Sequence, residues 1–201
     1  MNVSILNFGS GNLKSVYNLI SYLGYDCKIT IDKNYINAST HIILPGVGSY
    51  NGLMGKIKKN DLDLLSEQVH IKKKPFLGIC VGMQILSTSG NEFIENKGLN
   101  WIDGNVEKIE NDKLPHVGWN NILIKKNSVL TKNLDDESNF YFLNSYHFKP
   151  KDTKHIIAET SYKQSFCSIV EKENIFGVQF HPEKSQKAGQ LLLNNFLNIR
   201  C

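Results

Sequence analysis

The stretch "PFLGICVGMQILSTSG" at residues 75–90 decides the fold. An apolar run reaches Cys80, with Gly78 two residues before it and Gly82 two residues after it, and a helix-like pattern begins at once. A buried strand followed by a sharp turn and a helix is the repeating unit of a parallel α/β sheet. We therefore predict that Cys80 occupies the turn at the carboxyl end of a strand.

The rest of the first half alternates strands with helices. Short apolar runs predict further strands at residues 3–8, 27–31 and 41–46. Apolar residues at helical spacing predict a helix from Leu13 to Leu23, and a lysine-rich helical stretch is expected around residues 53–69. This alternation is typical of a mostly parallel sheet.

The second half has a different pattern, in which strand-like segments are joined by polar turns. These segments are "GNVEKIEN", "NNILIKK", "FYFLNSYHF" (140–148), "HIIAETSY", "SFCSIVEKE" and "IFGVQFH". They suggest antiparallel or mixed additions to one edge or end of the sheet, before a last helix with Ser185 as its N-cap. We expect one three-layer α/β domain over residues 1–201, with a mostly parallel sheet flanked by helices.

Charge and hydropathy argue against two classes of partner. The formal charge is +4, and Arg200 is the only arginine among the 201 residues. Phosphate and base recognition favour the planar arginine fork, so no nucleic-acid partner is expected. No run approaches the roughly 18 apolar residues of a membrane span, and no secretory leader is apparent, so no membrane association is expected.

The cysteines form neither a CxxC pair nor a regular series; they are Cys27, Cys80, Cys167 and Cys201. Such spacing does not indicate a zinc site, and a disulfide framework is not expected in a chain of this size without a secretory signal. We therefore expect no metal, no cofactor and a cytoplasmic location.

Two glycine-rich turns follow predicted strands. "FGSGN" at 8–12 does not complete a dinucleotide-binding pattern, because Lys14 stands where the third glycine belongs. "LPGVGSY" at 44–50 carries Gly46 and Gly48 at a strand's carboxyl end, where open α/β sheets bind ligands. Taken alone, this second turn fits a simple loop and a binding site equally well.

Cys80 has the surroundings of a nucleophile. The pattern Gly-x-Cys-x-Gly has the form of a nucleophile elbow with sulfur in place of the serine hydroxyl. The positive end of a following helix favours a thiolate, and the Val81 amide could point at an oxyanion. The alternative is a buried structural cysteine with incidental glycines.

A base for this nucleophile is found far along the chain. His181 ends a strand-like run, and Glu183 follows two residues later. In an extended chain these side chains point the same way, so Glu183 could orient the ring while His181 takes the thiol proton. The other histidines are assigned structural roles; they are His41, His70, His116, His147 and His155.

The pair "GICVGMQ" (78–84) and "HPEKS" (181–185) resembles class I glutamine amidotransferases. "NFGSGNLKSV" (7–16), "LPGVGSY" and "LPHVGWN" (114–120) are similar, more narrowly, to the glutaminase subunits of imidazole glycerol phosphate synthases. The resemblance implies hydrolysis of glutamine to glutamate and ammonia by a triad of Cys80, His181 and Glu183. It also implies an oxyanion hole and contacts to glutamine, formed by Val81 and Gly48 and by Gly46, Gln84, Glu92, Ser145 and Tyr146 respectively.

The same resemblance implies a partner. The glutaminase subunit would form a heterodimer with a separate (βα)8 cyclase, through which ammonia reaches a phosphorylated nucleotide substrate. The products would be imidazole glycerol phosphate and aminoimidazole carboxamide ribotide, within histidine biosynthesis, which makes the whole assembly a lyase. Trp119 and Lys184 would lie near the docking face.

One position departs from the family pattern. Asn144 in "YFLNSYHF" (141–148) stands where the family pattern has histidine. An alternative function is therefore a paralogous glutaminase that supplies ammonia for acetamidino modification of a bacterial surface sugar. "PHVGWN" argues against the glutaminases of anthranilate or pyridoxal phosphate synthesis, the complete triad against a non-enzymatic subunit, and the lack of a peptide groove pattern against a peptidase.

Overall fold

The computed structural model describes residues 2–9, 11–135 and 137–200, so Ser10 of the first glycine-rich turn and Cys201 lie outside it. The strands are β1 Asn2–Leu6, β2 Asp26–Thr30, β3 His41–Gly46, β4 Phe76–Cys80, β5 Ser89–Gly90, β6 Asn96–Lys97, β7 Gly104–Lys108, β8 His116–Asn121, β9 Leu123–Ile124, β10 Asn139–Asn144, β11 Tyr146–Pro150, β12 Ile156–Tyr162, β13 Gln164–Lys172 and β14 Ile175–Val178. The helices are α1 Leu13–Tyr22, α2 Lys33–Ala38, α3 Tyr50–Met54, α4 Lys59–Ser66, α5 Val81–Gln84 and α6 Gln186–Leu197. A π-helical turn covers Glu67–Ile71, and 3₁₀ turns cover Thr153–His155 and Pro182–Lys184.

The main sheet has eight strands in the order β2-β1-β3-β4-β14-β13-β12-β9. The neighbours from β2 to β14 pair in parallel, whereas β13, β12 and β9 continue the sheet in antiparallel pairs. This arrangement, flanked by helices, confirms the predicted α/β class with antiparallel additions. Strands β3 and β4 are buried along their whole length, as expected of continuous apolar runs in a parallel sheet.

Not every strand of the second half joins this sheet. Strands β8 and β10 form a two-stranded sheet, and β11, β7, β5 and β6 form another. The expectation of additions to one edge is right for β9, β12 and β13 but wrong for these strands. Residues 140–148 change sheet at Ser145, because β10 pairs with β8 while β11 pairs with β7. Hydrophobic alternation cannot reveal such a change of partner.

Two helix predictions are also corrected. The stretch 53–69 is not one helix: α3 ends at Met54, α4 begins at Lys59, and a π-helical turn follows. The helix after Cys80 is a single turn that ends before Ile85. No helix in the described ranges has the length and apolar character needed to cross a membrane.

The register of the main sheet places the functional residues. Gly46 at the end of β3 pairs with Cys80 at the end of β4, and Val178 at the end of β14 pairs with Ile79. The carboxyl ends of three neighbouring parallel strands therefore meet at one level. The segments that follow these strands emerge side by side at that edge, which is where α/β sheets place their ligand sites.

Candidate active site

Cys80 lies on a strained turn between β4 and α5. Its φ is 55° and its ψ is −112°, a backbone conformation that residues other than glycine rarely adopt. A Cβ on Gly78 would lie 2.4 Å from the Gly82 carbonyl oxygen, and one on Gly82 would lie 2.0 Å from the Leu44 carbonyl oxygen. Only glycine fits on either side of the cysteine, which gives the turn the form of the predicted elbow.

Gly46 supports this turn from the neighbouring strand. A Cβ at Gly46 would lie 2.7 Å from the Gly82 amide nitrogen and 3.0 Å from the Val81 Cβ. The structure thus places Gly46 against the elbow, whereas Gly48, with a φ of 99°, lies on the exposed loop beyond it. Of the two glycines, Gly48 is the one that lies beside the cavity described below.

The helix after Cys80 is too short to have a large dipole. Because α5 has only four residues, the macrodipole that was expected to favour a thiolate is small. The backbone N–H groups in the first turn of α5 can still stabilise a negative charge, because they have no hydrogen-bond partner within the helix. The Val81 N–H is one of them, and it directly follows the cysteine.

His181 and Glu183 form a buried ion pair. The ring nitrogen Nδ1 lies 2.9 Å from Glu183 Oε1, and the two side chains are 2% and 1% exposed. The extended geometry assumed from the sequence is wrong, because Pro182 begins a 3₁₀ turn over Pro182–Lys184. That turn nevertheless brings the carboxylate to the ring. The other ring nitrogen, Nε2, is buried and has no hydrogen-bond partner within the part of the chain that is described.

The electrostatic surroundings of His181 favour its charged form. Burial by itself lowers the pKa of His181, but the neighbouring Cys80 sulfur and the Glu183 carboxylate more than reverse this and raise it to about 10. An imidazolium next to the sulfur is therefore favoured at neutral pH. A buried imidazolium stabilises a thiolate in turn, which is how paired cysteine and histidine residues become reactive.

Hydrogen bonds to β10 and within the turn hold the segment that carries His181 in place. The His181 amide donates to the Tyr141 carbonyl at 2.8 Å, and the Ser185 hydroxyl donates to the His181 carbonyl at 2.6 Å. The Tyr141 amide donates to the same hydroxyl at 2.9 Å. Ser185 is the N-cap residue of α6, as predicted, and its carbonyl accepts the Gly189 amide at 3.1 Å, but its side chain makes no capping hydrogen bond. Its hydroxyl is occupied in holding the turn.

A cavity of about 200 Å³ opens beside Cys80. It is lined by Val47, Gly48, Cys80, Val81, Gln84, Glu92, Pro115, Leu143, Asn144, Ser145, Tyr146 and His181. The structure therefore brings together eight residues that the sequence analysis assigned to the site, from segments as distant as 48 and 181. Glu183 lies on the far side of the His181 ring, and Gly46 lies behind the elbow.

The polar wall of the cavity is held in place by internal hydrogen bonds. Glu92 Oε2 accepts the Tyr50 amide at 2.7 Å. The side-chain nitrogen of Gln84 donates to the Tyr146 carbonyl at 2.9 Å and to Gln179 Oε1 at 3.0 Å. Both N–H groups of Gln84 are thus used within the protein, and its carbonyl oxygen is the atom left for a ligand.

Sequence reasoning missed several residues around the sulfur. Gln179 is fully buried, and its side-chain nitrogen lies 3.7 Å from Cys80 Sγ. The sulfur also lies 3.9 Å from the carbonyl oxygen of Leu143. One signal for Gln179 was available: it lies two residues before His181, and a polar residue inside the apolar run "VQF" needs a buried partner.

Asn144, the departure from the family pattern, lies on the cavity wall. Its side-chain nitrogen donates to the Tyr146 carbonyl at 3.0 Å. Its Oδ1 is buried and has no hydrogen-bond partner among the described residues. The amide thus offers an acceptor to whatever occupies the cavity.

The two remaining predicted residues lie together on a neighbouring surface. Trp119 packs edge-on against Tyr141 with ring centroids 6.0 Å apart, and Lys184 Nζ lies 5.2 Å from the centre of the same tyrosine ring. Within residues 2–9, 11–135 and 137–200, no three His, Cys, Asp or Glu side chains converge as metal ligands would.

Comparison with known proteins finds similarity over nearly the whole chain. The family described as "Glutamine amidotransferase class-I" matches residues 4–199. The chain is 43% identical to the imidazole glycerol phosphate synthase subunit HisH of Pelagibacter ubique, over 99% of this chain and 100% of that protein. It is 42% identical to the subunit HisH 2 of Methanococcus maripaludis, over 97% and 98% of the two chains.

A solved structure shares the fold at much lower identity. The structure of PurLQS from Thermotoga maritima matches with a TM-score of 0.78 at 16% identity, covering 98% of this chain and 97% of that one. Similarity of this kind concerns the arrangement of helices and strands.

Proposed function

Since the chain belongs to the class-I glutamine amidotransferase family, we propose that it is a single-domain glutaminase subunit of an imidazole glycerol phosphate synthase. It hydrolyses glutamine to glutamate and ammonia and delivers the ammonia to a separate cyclase subunit. Two relatives more than 40% identical over nearly their whole length carry the name of that subunit. The observation that carries the proposal is that Cys80, on its strained turn, and His181, paired with buried Glu183, line one cavity.

The first half of the reaction forms a covalent intermediate. His181 Nε2 takes the proton of Cys80, and the sulfur attacks the side-chain carbonyl carbon of glutamine to give a tetrahedral oxyanion. The C–N bond then breaks, and the proton on His181 passes to the departing nitrogen, which leaves as ammonia. A glutamyl thioester on Cys80 remains.

The second half regenerates the enzyme. His181 takes a proton from water, the resulting hydroxide attacks the thioester carbon, and the C–S bond breaks to release glutamate. The proton returns to the sulfur. Glu183 keeps Nδ1 of the ring occupied in both halves, so Nε2 is the nitrogen that exchanges protons with Cys80, ammonia and water.

The oxyanion forms in both halves of the reaction. We assign its stabilisation to the amides of Val81, which opens α5, and of Gly48, on the loop after β3. Both residues line the cavity beside Cys80. Removal of one donor of this kind typically costs about 10²–10³ in rate.

The remaining polar wall residues are assigned to glutamine recognition. Glu92, with its charge, suits the α-ammonium group of an amino acid, while Gln84 and Asn144 offer carbonyl oxygens as acceptors. Ser145 and Tyr146 complete the wall at the point where the chain changes sheet.

The cyclase is assigned to an apolar surface next to the cavity. We define the docking face by Val117, Trp119 and Leu143, which are 53%, 48% and 40% exposed on the paired strands β8 and β10. Leu143 also lines the cavity, so this face adjoins the place where ammonia is released. Lys184, over the Tyr141 ring, adds a positive charge at its border. A (βα)8 cyclase bound at this face would receive ammonia without its loss to solvent.

We also assign the protein to the cytoplasm, because a reducing compartment keeps the Cys80 thiol reduced.

The decisive experiment replaces the nucleophile. Cys80→Ala should lower glutamate release, measured with the cognate cyclase present, by at least about 10³-fold, while the fold and cyclase binding are retained. Cys27→Ala, which removes a half-buried thiol outside the cavity, is the matched control and should keep full activity. A diazo analogue of glutamine should label Cys80 in the wild-type protein. Substantial turnover by Cys80→Ala, or preferential labelling of Cys27, Cys167 or Cys201, would refute the assignment.

The partner is tested separately. Trp119→Ala should weaken cyclase binding by about tenfold or more, because large aromatic side chains dominate interfaces. Binding measured by calorimetry at wild-type strength would show that the docking face lies elsewhere. Production of imidazole glycerol phosphate by the reconstituted pair, supplied with glutamine and the phosphorylated nucleotide substrate, distinguishes histidine synthesis from surface-sugar modification.

A further inference from the structure

Gln179 is a buried amide placed directly against the proposed nucleophile. It follows β14, is 0% exposed, and its backbone amide donates to the Ser168 carbonyl at 2.9 Å. A polar side chain with no access to water must satisfy its amide within the protein, because an unpaired buried amide is costly. Its partners therefore define what the side chain does.

The orientation of the Gln179 amide is fixed by its neighbour. Gln84 donates one N–H to the Tyr146 carbonyl at 2.9 Å and the other to Gln179 Oε1 at 3.0 Å. Because Gln84 acts as the donor, the Gln179 oxygen must be the atom that faces it. The Gln179 NH₂ group then points the other way, where its nitrogen lies 3.7 Å from Cys80 Sγ.

We propose that Gln179 is a further catalytic residue, which donates an N–H hydrogen bond to the Cys80 sulfur and so stabilises the thiolate that attacks the substrate. A hydrogen bond to an ionised acceptor is about twice as strong as one between neutral groups. His181 is another donor beside the sulfur, but its proton leaves with ammonia during the reaction. The Gln179 donor stays in place throughout. It therefore supports the thiolate as leaving group when the thioester is hydrolysed.

The test compares variants at Gln179 and at a matched buried glutamine. Gln179→Met keeps the length and removes the donor, whereas Gln68→Met changes an equally buried glutamine whose side-chain nitrogen donates to Asn37 Oδ1 at 2.8 Å, away from the cavity. The rate of Cys80 alkylation by iodoacetamide is followed against pH, and kcat and KM for glutamine are measured with the cyclase present. Loss of a hydrogen bond to a charged group should raise the pH midpoint of alkylation in Gln179→Met by about one unit or more.

The two glutaminase constants should respond differently. In Gln179→Met we expect kcat to fall by roughly 10- to 100-fold, while KM changes little because Gln179 does not line the cavity. Gln68→Met should be less stable than the wild-type protein but should keep its alkylation midpoint and its kcat. A purely structural role of Gln179 would make the two variants behave alike.

Specific outcomes overturn the inference. A soluble Gln179→Met with the wild-type alkylation midpoint excludes it. If that variant does not fold, Gln84→Met decides, since it frees the Gln179 amide to rotate: an unchanged midpoint there also excludes the proposal, and a raised one supports it. The inference rests on the proposed function, which fails separately if iodoacetamide does not label Cys80 first in the wild-type protein.

Discussion

The turn at Cys80 and the turn at His181 supply the two reacting side chains, yet they are built in different ways. Contacts between neighbouring backbones hold the first, where Gly46, Gly78 and Gly82 leave no room for a side chain. Hydrogen bonds to β10 and close packing of α6 hold the second, so distant parts of the chain position it. A cysteine can therefore be placed by local steric rules, while its base depends on the folding of the rest of the domain.

The two turns also differ in what lies next to them. Tyr141 binds the His181 turn through its backbone, and its ring lies against Trp119 and Lys184 at the docking face. The Cys80 turn is enclosed between β3 and β14. We therefore expect substitutions at the docking face to disturb the position of the His181 base more than that of the Cys80 nucleophile.

The largest expected effect breaks the Cys80 turn itself. A Cβ at Gly82 would meet the Leu44 carbonyl oxygen at 2.0 Å, so Gly82→Ala must displace either β3 or the elbow. We expect a loss of roughly 3 kcal/mol or more in the free energy of unfolding, and no measurable glutaminase activity. Urea unfolding and glutamate release are the measurements.

A second glycine provides the control for that substitution. At Gly55 the added Cβ would lie 3.2 Å from the Asn51 carbonyl oxygen, which a small shift can relieve. Gly55→Ala should cost less than about 1 kcal/mol and leave activity unchanged. If Gly82→Ala were as stable and active as Gly55→Ala, the steric account of the elbow would be wrong.

A smaller effect is expected where hydrogen bonds hold the His181 turn. His181→Ala removes the base and should lower kcat by about 10²–10⁴. Ser185→Ala only releases the His181 carbonyl and the Tyr141 amide, so the ring is misplaced, and kcat should fall by about tenfold with KM little changed.

The control for Ser185→Ala is a serine that holds only a loop. Ser138 donates to Asp135 Oδ1 at 2.8 Å on the surface, and Ser138→Ala should keep wild-type kcat. Wild-type kcat in Ser185→Ala as well would show that the turn is positioned by the packing of α6 alone. Gly189 is the close contact there, because a Cβ on it would lie 1.9 Å from the Pro182 carbonyl oxygen.

The same contrast explains how much the sequence could predict. The apolar run at 41–46 is β3 residue for residue, and β4 ends at Cys80 as expected, because strands buried on both faces are continuously apolar. The glycine pattern around Cys80 predicted the elbow because Gly78 and Gly82 contact each other across the turn, only four residues apart. Residues close in sequence carried enough information to place the candidate nucleophile.

Long-range pairing was not predictable in the same way. Nothing in "FYFLNSYHF" marks Ser145 as the point where the chain passes from one sheet to another. Ser185 is the N-cap residue of α6, as its place before the helix predicted, but its hydroxyl donates to the His181 carbonyl instead of capping the helix. Gln179 was missed because its partners Gln84 and Cys80 lie about a hundred residues away, at separations of 95 and 99 residues.

The smallest expected effect concerns a buried histidine of the second half. His116 on β8 stacks on Tyr162 and Phe142, with ring centroids 4.0 and 5.0 Å apart, and burial lowers its pKa below 6.5. In the unfolded chain the same ring takes up a proton near its ordinary pKa. Below about pH 6.5 the unfolded state therefore binds more protons, and stability falls as the pH falls. His41 and His147, whose pKa values are lowered mainly by burial, act in the same direction.

Replacing this ring tests the pH dependence without opening a cavity. His116→Phe keeps a stacking ring but cannot titrate, so its unfolding free energy should fall less steeply between about pH 6.5 and 5, by at most about 1.4 kcal/mol per pH unit. His181 does not mask the difference, because it is present in both proteins and contributes equally to the two slopes. Urea unfolding at several pH values gives the slope for each protein. Equal slopes would mean that His116 protonates without disturbing its stack, and the acid sensitivity of the second half would then belong to His147.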